Sequence, residues 1–122
     1  MAGIEQAPPA GTVRVANEVI ASIAAMAARE VEGVVAMDDA AARHLGDWLK
    51  RQTAHDGVRV IVDGTKAIHL EVFLTVASQA QIADVAEQVQ ANSVEAVERM
   101  LGLEVAEVNV FVQGVHEDNG TG

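Results

Sequence analysis

The residues of this sequence that could do chemistry are few and scattered. It has four histidines and 18 acidic residues, but no cysteine and no tyrosine. This inventory excludes disulfides, thiolate metal sites and thiol catalysis. The serines Ser22, Ser78 and Ser93 lie in or beside predicted helices without an accompanying histidine and carboxylate, and the isolated glycines form no phosphate-binding loop. We therefore predict a protein that is not an enzyme and binds no cofactor.

Two pairs of residues come nearest to a metal site. His69 and Glu71 lie two residues apart and share one face of a predicted strand, while Asp38 and Asp39 are adjacent in a predicted loop. Zinc and calcium sites need more ligands than either pair supplies. A solvated cross-strand pair and a polar turn explain these residues equally well, so no metal is predicted. An enzyme remains an alternative only if one of these pairs binds a metal.

The hydrophobic pattern predicts a long helix from Gln79 to Leu101. Gly102 is placed to end it in a left-handed conformation, and the period then changes from near 3.6 to 2, which is typical of a strand over Val108–Val112. The predicted buried stripe of this helix is Ile82, Val85, Val89, Ser93, Val97 and Met100.

A similar unit occurs earlier in the chain. Asn17 is placed at or beside a helix N-cap, the helix is predicted to run to Val31, and Gly33 passes the chain to a short apolar run. Its predicted buried stripe is Ile20, Ile23, Met26 or Ala27, and Val31. The two units form a weak helix-glycine-strand repeat.

Alternating apolar residues predict a hairpin between the two units. Val58–Val62 and Ile68–Val76 are the strands, and an Asp-Gly pair in Asp63–Lys66 supplies a tight turn. The predicted fold is therefore α+β: a two-layer sandwich with two main helices on one face of a mixed sheet of three to five strands. Residues 1–11 are predicted to be a flexible tail, 12–115 a single domain and 116–122 a flexible polar tail.

The sheet face away from the helices is the predicted interaction surface. Both phenylalanines of the chain, Phe73 and Phe111, alternate onto it near Ile61 and His69. Scarce aromatics outside the core favour a surface that contacts another molecule, and self-association into a homo-oligomer is the favoured interpretation. The alternative is that the long connection or a tail of the same chain covers this face.

The connection from residue 38 to residue 56 carries a second candidate surface. It contains the single tryptophan, Trp48, in a predicted short amphipathic helix. The basic residues at its margins could bind an acidic partner or a membrane protein's cytoplasmic segment; an ordinary covering helix is the alternative. These basic residues are Arg43, Lys50 and Arg51.

The charge of the chain disfavours direct binding to nucleic acid and to bare membrane. The net charge of -10 repels phosphate backbones and anionic lipid, so direct binding of nucleic acid is not expected. No apolar run approaches the roughly 18 residues of a membrane span, and no signal peptide is evident, which together predict a cytoplasmic protein.

Motifs over nearly the whole chain resemble those of the bacterial alkaline shock protein family, a group of general and envelope-stress proteins. The matching residues are Val13–Ala16, Val19–Ile20, Ile23–Ala24, Ala27–Ala28, Glu30–Val31, Gly33–Val34, Met37, Gly57–Val60, Val85–Gln90, Glu95–Glu98, Met100, Gly102–Val105, Val108–Val110, Val112 and Gly114–Val115.

The resemblance implies a cytoplasmic protein tied to cell-envelope stress that an anchor protein can recruit to the membrane. Together with the candidate surface it predicts a non-catalytic, self-associating scaffold. A small-ligand-binding regulator, with a pocket between helix and sheet, is the alternative.

Overall fold

The computed structural model describes residues 15–37 and 55–116 of the chain. The predicted tails lie outside this part except for His116, and so do residues 38–54. Six elements follow one another in the order α1 (Asn17–Arg29), β1 (Val34–Met37), β2 (Val58–Val62), β3 (Ile68–Ala77), α2 (Ile82–Leu101) and β4 (Val105–His116).

β3 is the central strand of a four-stranded sheet and pairs with each of the other strands. β1 and β2 are antiparallel to it, and β4 is parallel. Val72 pairs with Val58 and Val110, whereas Leu74 pairs with Met37 and Val112. Because a strand has only two edges, β2 and β1 must lie end to end along one edge of β3. β4 occupies the other edge.

Two glycines connect helices to strands and confirm the predicted repeat. Gly102 has φ 69° and donates its N–H to the Glu98 carbonyl, which closes α2 with the expected left-handed cap. Gly33, between α1 and β1, has φ 102°. The chain from β3 through α2 to β4 is a β-α-β crossover, the connection that parallel neighbours require.

The core lies between the two helices and one face of the sheet. Ala24, Ala25 and Ala28 are fully buried on α1, and their small side chains allow close approach to the other layer. Asn92 of α2 donates to the Ala27 carbonyl at 3.2 Å, which joins the helices. The sheet contributes Val58, Val60, Ile68, Leu70, Val72, Leu74, Val76, Val105 and Val108. This arrangement confirms the predicted two-layer α+β fold.

The ends of both helices differ from the prediction. α1 ends at Arg29, two residues before Val31, and Ala16 takes the N-cap position without a side-chain hydrogen bond. In α2 the buried stripe covers Val85–Val97, so Ile82 and Met100, in the first and last turns, remain 46% and 58% exposed. A 20-residue helix extends about 30 Å, which is longer than the buried part of this stripe.

The turn between β2 and β3 spans Asp63–Lys66, as predicted, but its left-handed residue is not the glycine. Lys66 donates its N–H to the Asp63 carbonyl, and the residue with positive φ is Lys66, at 69°. Gly64 has no left-handed φ. The Asp63 side chain organises the loop by accepting hydrogen bonds from Thr65 and from the Ala67 N–H. A carboxylate that bonds the backbone ahead of it is a common turn device.

Candidate functional site

The sheet face opposite the helices is the candidate site and is called the second sheet face below. Strand alternation brings side chains from three strands onto it, as predicted. Its members, by register, are Arg59 and Ile61 of β2, His69, Glu71, Phe73 and Thr75 of β3, and Glu107, Asn109 and Phe111 of β4.

An aromatic pair occupies the middle of this face. Phe73 and Phe111 are register partners, and their rings stack with centroids 5.1 Å apart and planes 16° apart. Phe111 is 40% exposed and covers Phe73, which is only 7% exposed. Ile61 is 40% exposed, on β2. Phe111 and Ile61 therefore form the part of the apolar surface that solvent reaches.

A histidine held between two carboxylates lies on the same face, four residues before Phe73 along β3. His69 Nε2 is 2.8 Å from Asp63 Oδ2, in the β2–β3 turn, and its Nδ1 is 3.1 Å from Glu107 Oε1 on β4. Asn109 donates to the other oxygen of Glu107 at 2.8 Å. One imidazole thus joins the turn to the edge strand.

The two carboxylates favour the charged form of the imidazole. Hydrogen bonds to Asp63 and then Glu107 raise the pKa of His69 above its ordinary value. The bonds from His69 and Thr65 lower the pKa of Asp63, and those from Asn109 and His69 lower the pKa of Glu107. In the charged form both ring nitrogens donate, and neither offers a lone pair.

A second ion pair lies on the same face, two residues further along β3 from His69. Arg59 Nε donates to Glu71 Oε1 at 2.8 Å between paired residues of β2 and β3. Both side chains are partly buried. Glu71 is thus bound to Arg59, and His69 to two carboxylates. No cluster of three or more potential ligands positioned to hold a metal occurs within residues 15–37 and 55–116.

An open cleft of about 460 Å³ lies at the other end of the molecule, where α2 begins. Gly33 and Val85 are among its lining residues, together with several polar side chains. These polar residues are Glu32, Gln79, Gln81, Asp84 and Gln88.

Comparison with known proteins decides the family. The model of the alkaline shock protein 23 family, described as having a cell envelope-related function, matches residues 5–117. The chain belongs to the alkaline shock protein 23 family. This membership confirms the resemblance seen in the sequence motifs.

Two relatives from Bacillus subtilis (strain 168) belong with it. YloU is 33% identical over 111 residues, which are 89% of this chain and 92% of YloU. YqhY is 32% identical over 108 residues, or 88% of this chain and 79% of YqhY. Both relatives are described as uncharacterized, and neither they nor the family carry the name of an enzymatic activity.

Among solved structures, two single-residue variants of the MamM-CTD are similar to this chain. Each is 14% identical to this family member, with a TM-score of 0.48. The similarity covers 80% of the present chain and 95% of the MamM-CTD chain. Similarity at this level extends to neither function nor assembly.

The structure brings together four of the eight residues predicted to form the interaction surface of this family member. Ile61, His69, Phe73 and Phe111 share the second sheet face. The other four predicted surface residues, Arg43, Trp48, Lys50 and Arg51, and the loop pair Asp38 and Asp39 lie outside the described residues.

The sequence did not predict the two carboxylates that bind His69. Asp63 was assigned to a turn, and Glu107 was placed on the outer face of its strand without a partner. The available signal was the spacing of Asp63 and His69 across a short hairpin turn. Glu107 gave no such signal, because its pairing depends on the parallel register between β3 and β4.

No helix in the described part of the chain is long and apolar enough to cross a membrane.

Proposed function

We propose that this chain is a non-catalytic scaffold of cell-envelope homeostasis and stress, which associates with itself and binds protein partners. Its family has a cell envelope-related function. The proposal places the protein in the cytoplasm, where an anchor protein recruits it to the membrane. A net charge of -10 supports recruitment by a protein, because anionic lipid repels such a chain.

The observation that carries the proposed self-association is the partly exposed Phe111 over Phe73, with Ile61 exposed on the same face. Leaving apolar area in water forfeits roughly 25 cal/mol per Å². The helices already cover the other side of the sheet, so contact with a second copy is proposed to remove Phe111 from water. The charged members of the second sheet face are paired internally, which lowers the cost of bringing two copies together.

The chemistry of the second sheet face supports a non-catalytic role. A general base needs a free lone pair, and both nitrogens of His69 are engaged by carboxylates. Ser78 donates to Gln79, and Ser93 is buried among core residues. Neither serine is activated by a neighbouring base in these contacts.

The test is the mass of the protein in solution as a function of concentration, by light scattering after size exclusion. The native chain should exceed a monomer, and Phe111→Ser should shift its dissociation to at least tenfold higher concentration. Met100→Ser is the matched control, because it removes a 58% exposed side chain from α2, on the other layer. A native chain that stays monomeric at every concentration would overturn the proposed self-association.

A small-ligand-binding regulator is the second candidate function. It is favoured by the cleft at the start of α2, whose volume of about 460 Å³ falls within the range of ligand pockets. A saturable rise in Tm with a small polar metabolite, lost in Gln88→Ala, would support it. The absence of any such rise in a metabolite screen would count against it.

A further inference from the structure

β4 forms one edge of the sheet and is its longest strand. It has 12 residues, and β3 is its partner over nearly all of them. Within residues 15–37 and 55–116, no strand pairs with its outer edge. Such an edge presents unused N–H and C=O groups, to which another strand can bind.

The hydrogen bonds of β3 establish which groups of β4 point outward. Phe73 donates its N–H to the Gly57 carbonyl at 2.8 Å, on the edge away from β4. A strand residue directs its N–H and its C=O to the same side of the strand. Of two partner residues in a parallel pair, only one directs these groups to the neighbouring strand, and the other directs them away from it. Phe111, the partner of Phe73, therefore directs its groups to β3. By alternation, the residues that point outward are Val108, Val110 and Val112.

The contact of Gln90 agrees with this assignment. Its Nε2 donates to the Val108 carbonyl at 3.1 Å, reaching from α2 to an acceptor that β3 does not use. The outward groups of Val110 and Val112 have no such side-chain bond among those described. The bulge between Val112 and Gly114 then ends the regular stretch.

The charge on β4 is low for a chain of this composition. Only one of the 18 acidic residues, Glu107, lies in the strand, and it is bonded to His69 and Asn109. The strand contains none of the lysines, arginines or prolines that protect natural edges from pairing. Two copies that each have a net charge of -10 repel each other least when they approach through a segment of low charge such as β4.

The opposite edge of the sheet is unsuited to the same contact. It is divided between β2, with five residues, and β1, with four. Residues 38–57 separate these strands in the chain. A partner strand finds no continuous row of backbone groups there.

Building on the self-association proposed above, we propose that two copies join through the outer edges of their β4 strands. Two identical edges related by a two-fold axis must pair antiparallel. The outward N–H and C=O groups of the two copies meet when Val110 lies opposite Val110 of the second copy. Val108 then lies opposite Val112 of the second copy. The two sheets then become one, and the Phe111 side chains lie on the same face near the axis.

The direct test is amide hydrogen exchange of the full chain, measured by NMR at low and high protein concentration. The N–H groups of Val110 and Val112 should become at least tenfold more protected as the protein associates. Those of Asn109 and Phe111, which face β3, should change little. Equal protection of all four amides, or no change at Val110 and Val112, would overturn edge pairing.

Two variants test the same contact by light scattering. Val110→Pro removes an outward N–H but keeps every N–H that donates between β3 and β4. Circular dichroism checks that the variant is folded. Asn109→Asp adds a carboxylate about 7–8 Å from its symmetry mate, the spacing of diagonal cross-strand neighbours. Gln88→Glu is the matched control, since it adds the same charge on exposed helix surface. Both edge variants should raise the dissociation constant at least tenfold, and the control less than threefold.

Ile61→Ser separates failure of this contact from failure of self-association. Ile61 lies on β2, at the far edge of the sheet, and edge pairing leaves it outside the interface. Dissociation by Ile61→Ser but not by the edge variants would show that copies meet face to face, which overturns edge pairing and keeps self-association. A native monomer would overturn both. A dimer that none of these variants affects would also overturn edge pairing.

Discussion

His69 is the residue that connects the β2–β3 turn to the edge strand, and its protonation governs that connection. Asp63 and Glu107 hold its two nitrogens at 2.8 and 3.1 Å. As a cation it donates to both carboxylates, whereas the neutral ring has one donor for two acceptors. Loss of the proton therefore breaks one of the two bonds.

The contribution of this bridge to stability should depend on pH. The folded-state pKa of His69 is raised, so its contribution is complete below the ordinary pKa of about 6.5 and is lost as pH rises through the folded value. The pKa values of Asp63 and Glu107 are lowered, so their contributions are present above about 4.5 and are lost on acidification. The Tm difference between the native chain and His69→Gln should be largest between about pH 4.5 and 6.5 and shrink towards pH 9. A constant difference across this range would contradict the bridge.

An NMR titration of the His69 ring supplies the control for that experiment. Its midpoint should lie above 6.5 in the native chain and fall in Asp63→Asn, because the bond to Asp63 is the largest cause of the raised pKa. Glu107→Gln should lower the midpoint less. An unchanged midpoint in Asp63→Asn would show that the turn does not hold the ring.

At the scale of single residues, the sequence predicts which sheet face a residue lies on better than it predicts which residues it bonds to. Period-2 alternation placed His69, Phe73 and Phe111 on one face, and the structure confirms that placement. The position of the turn was also predicted, but its left-handed residue was not, because an Asp-Gly pair favours positive φ at the glycine. Lys66 takes that conformation instead, and the side chain of Asp63 stabilises the turn.

At the scale of the elements, two glycines with positive φ end the two helix units for different reasons. At Gly102 a Cβ would meet no atom within 4 Å, so only the backbone conformation demands glycine. At Gly33 a Cβ would lie 2.8 Å from Val85 Cγ2 of α2, which adds a steric demand. Its carbonyl also accepts the Ala77 N–H at the end of β3.

These two sites form a matched pair for substitution. Gly102→Ala should lower the free energy of unfolding by about 1 kcal/mol, from strain alone. Gly33→Ala should cost about 2–4 kcal/mol, because overpacking is added to strain. Urea unfolding of both variants measures the difference. Adding Val85→Ala should cost less in the Gly33→Ala background than in the native chain, because it removes the clash; strict additivity would show that no clash exists.

Sequence patterns identified the elements but not their ends. The long helix was predicted from its apolar stripe, and Val85, Val89, Ser93 and Val97 are buried as expected. Where burial stops depends on the opposite layer, which the stripe does not encode. The stripe placed Ser93 in the core correctly, but it does not reveal that the buried hydroxyl of Ser93 has no hydrogen-bond partner.

At the scale of the whole molecule, the two layers were predictable and the edges of the sheet were not. Two amphipathic helices and aliphatic strand faces need each other for burial, which leaves few arrangements. The end-to-end placement of β1 and β2 along β3 requires pairing across residues distant in sequence. That placement leaves β4 alone at its edge, so it determines which strand is open to a partner.

Charge and apolar contact act in opposite directions on the proposed association, and ionic strength separates them. Two copies at -10 repel each other over about 30 Å at 0.01 M salt but only about 10 Å at 0.1 M. Contacts through Phe111 and the backbone groups of β4 are not weakened by screening. The dissociation constant measured by sedimentation equilibrium should therefore fall several-fold as salt rises from 10 to 100 mM, and Gln88→Glu should steepen the fall. An increase with salt would mean that opposite charges carry the contact, which would contradict an interface built on the aromatic pair and the β4 edge.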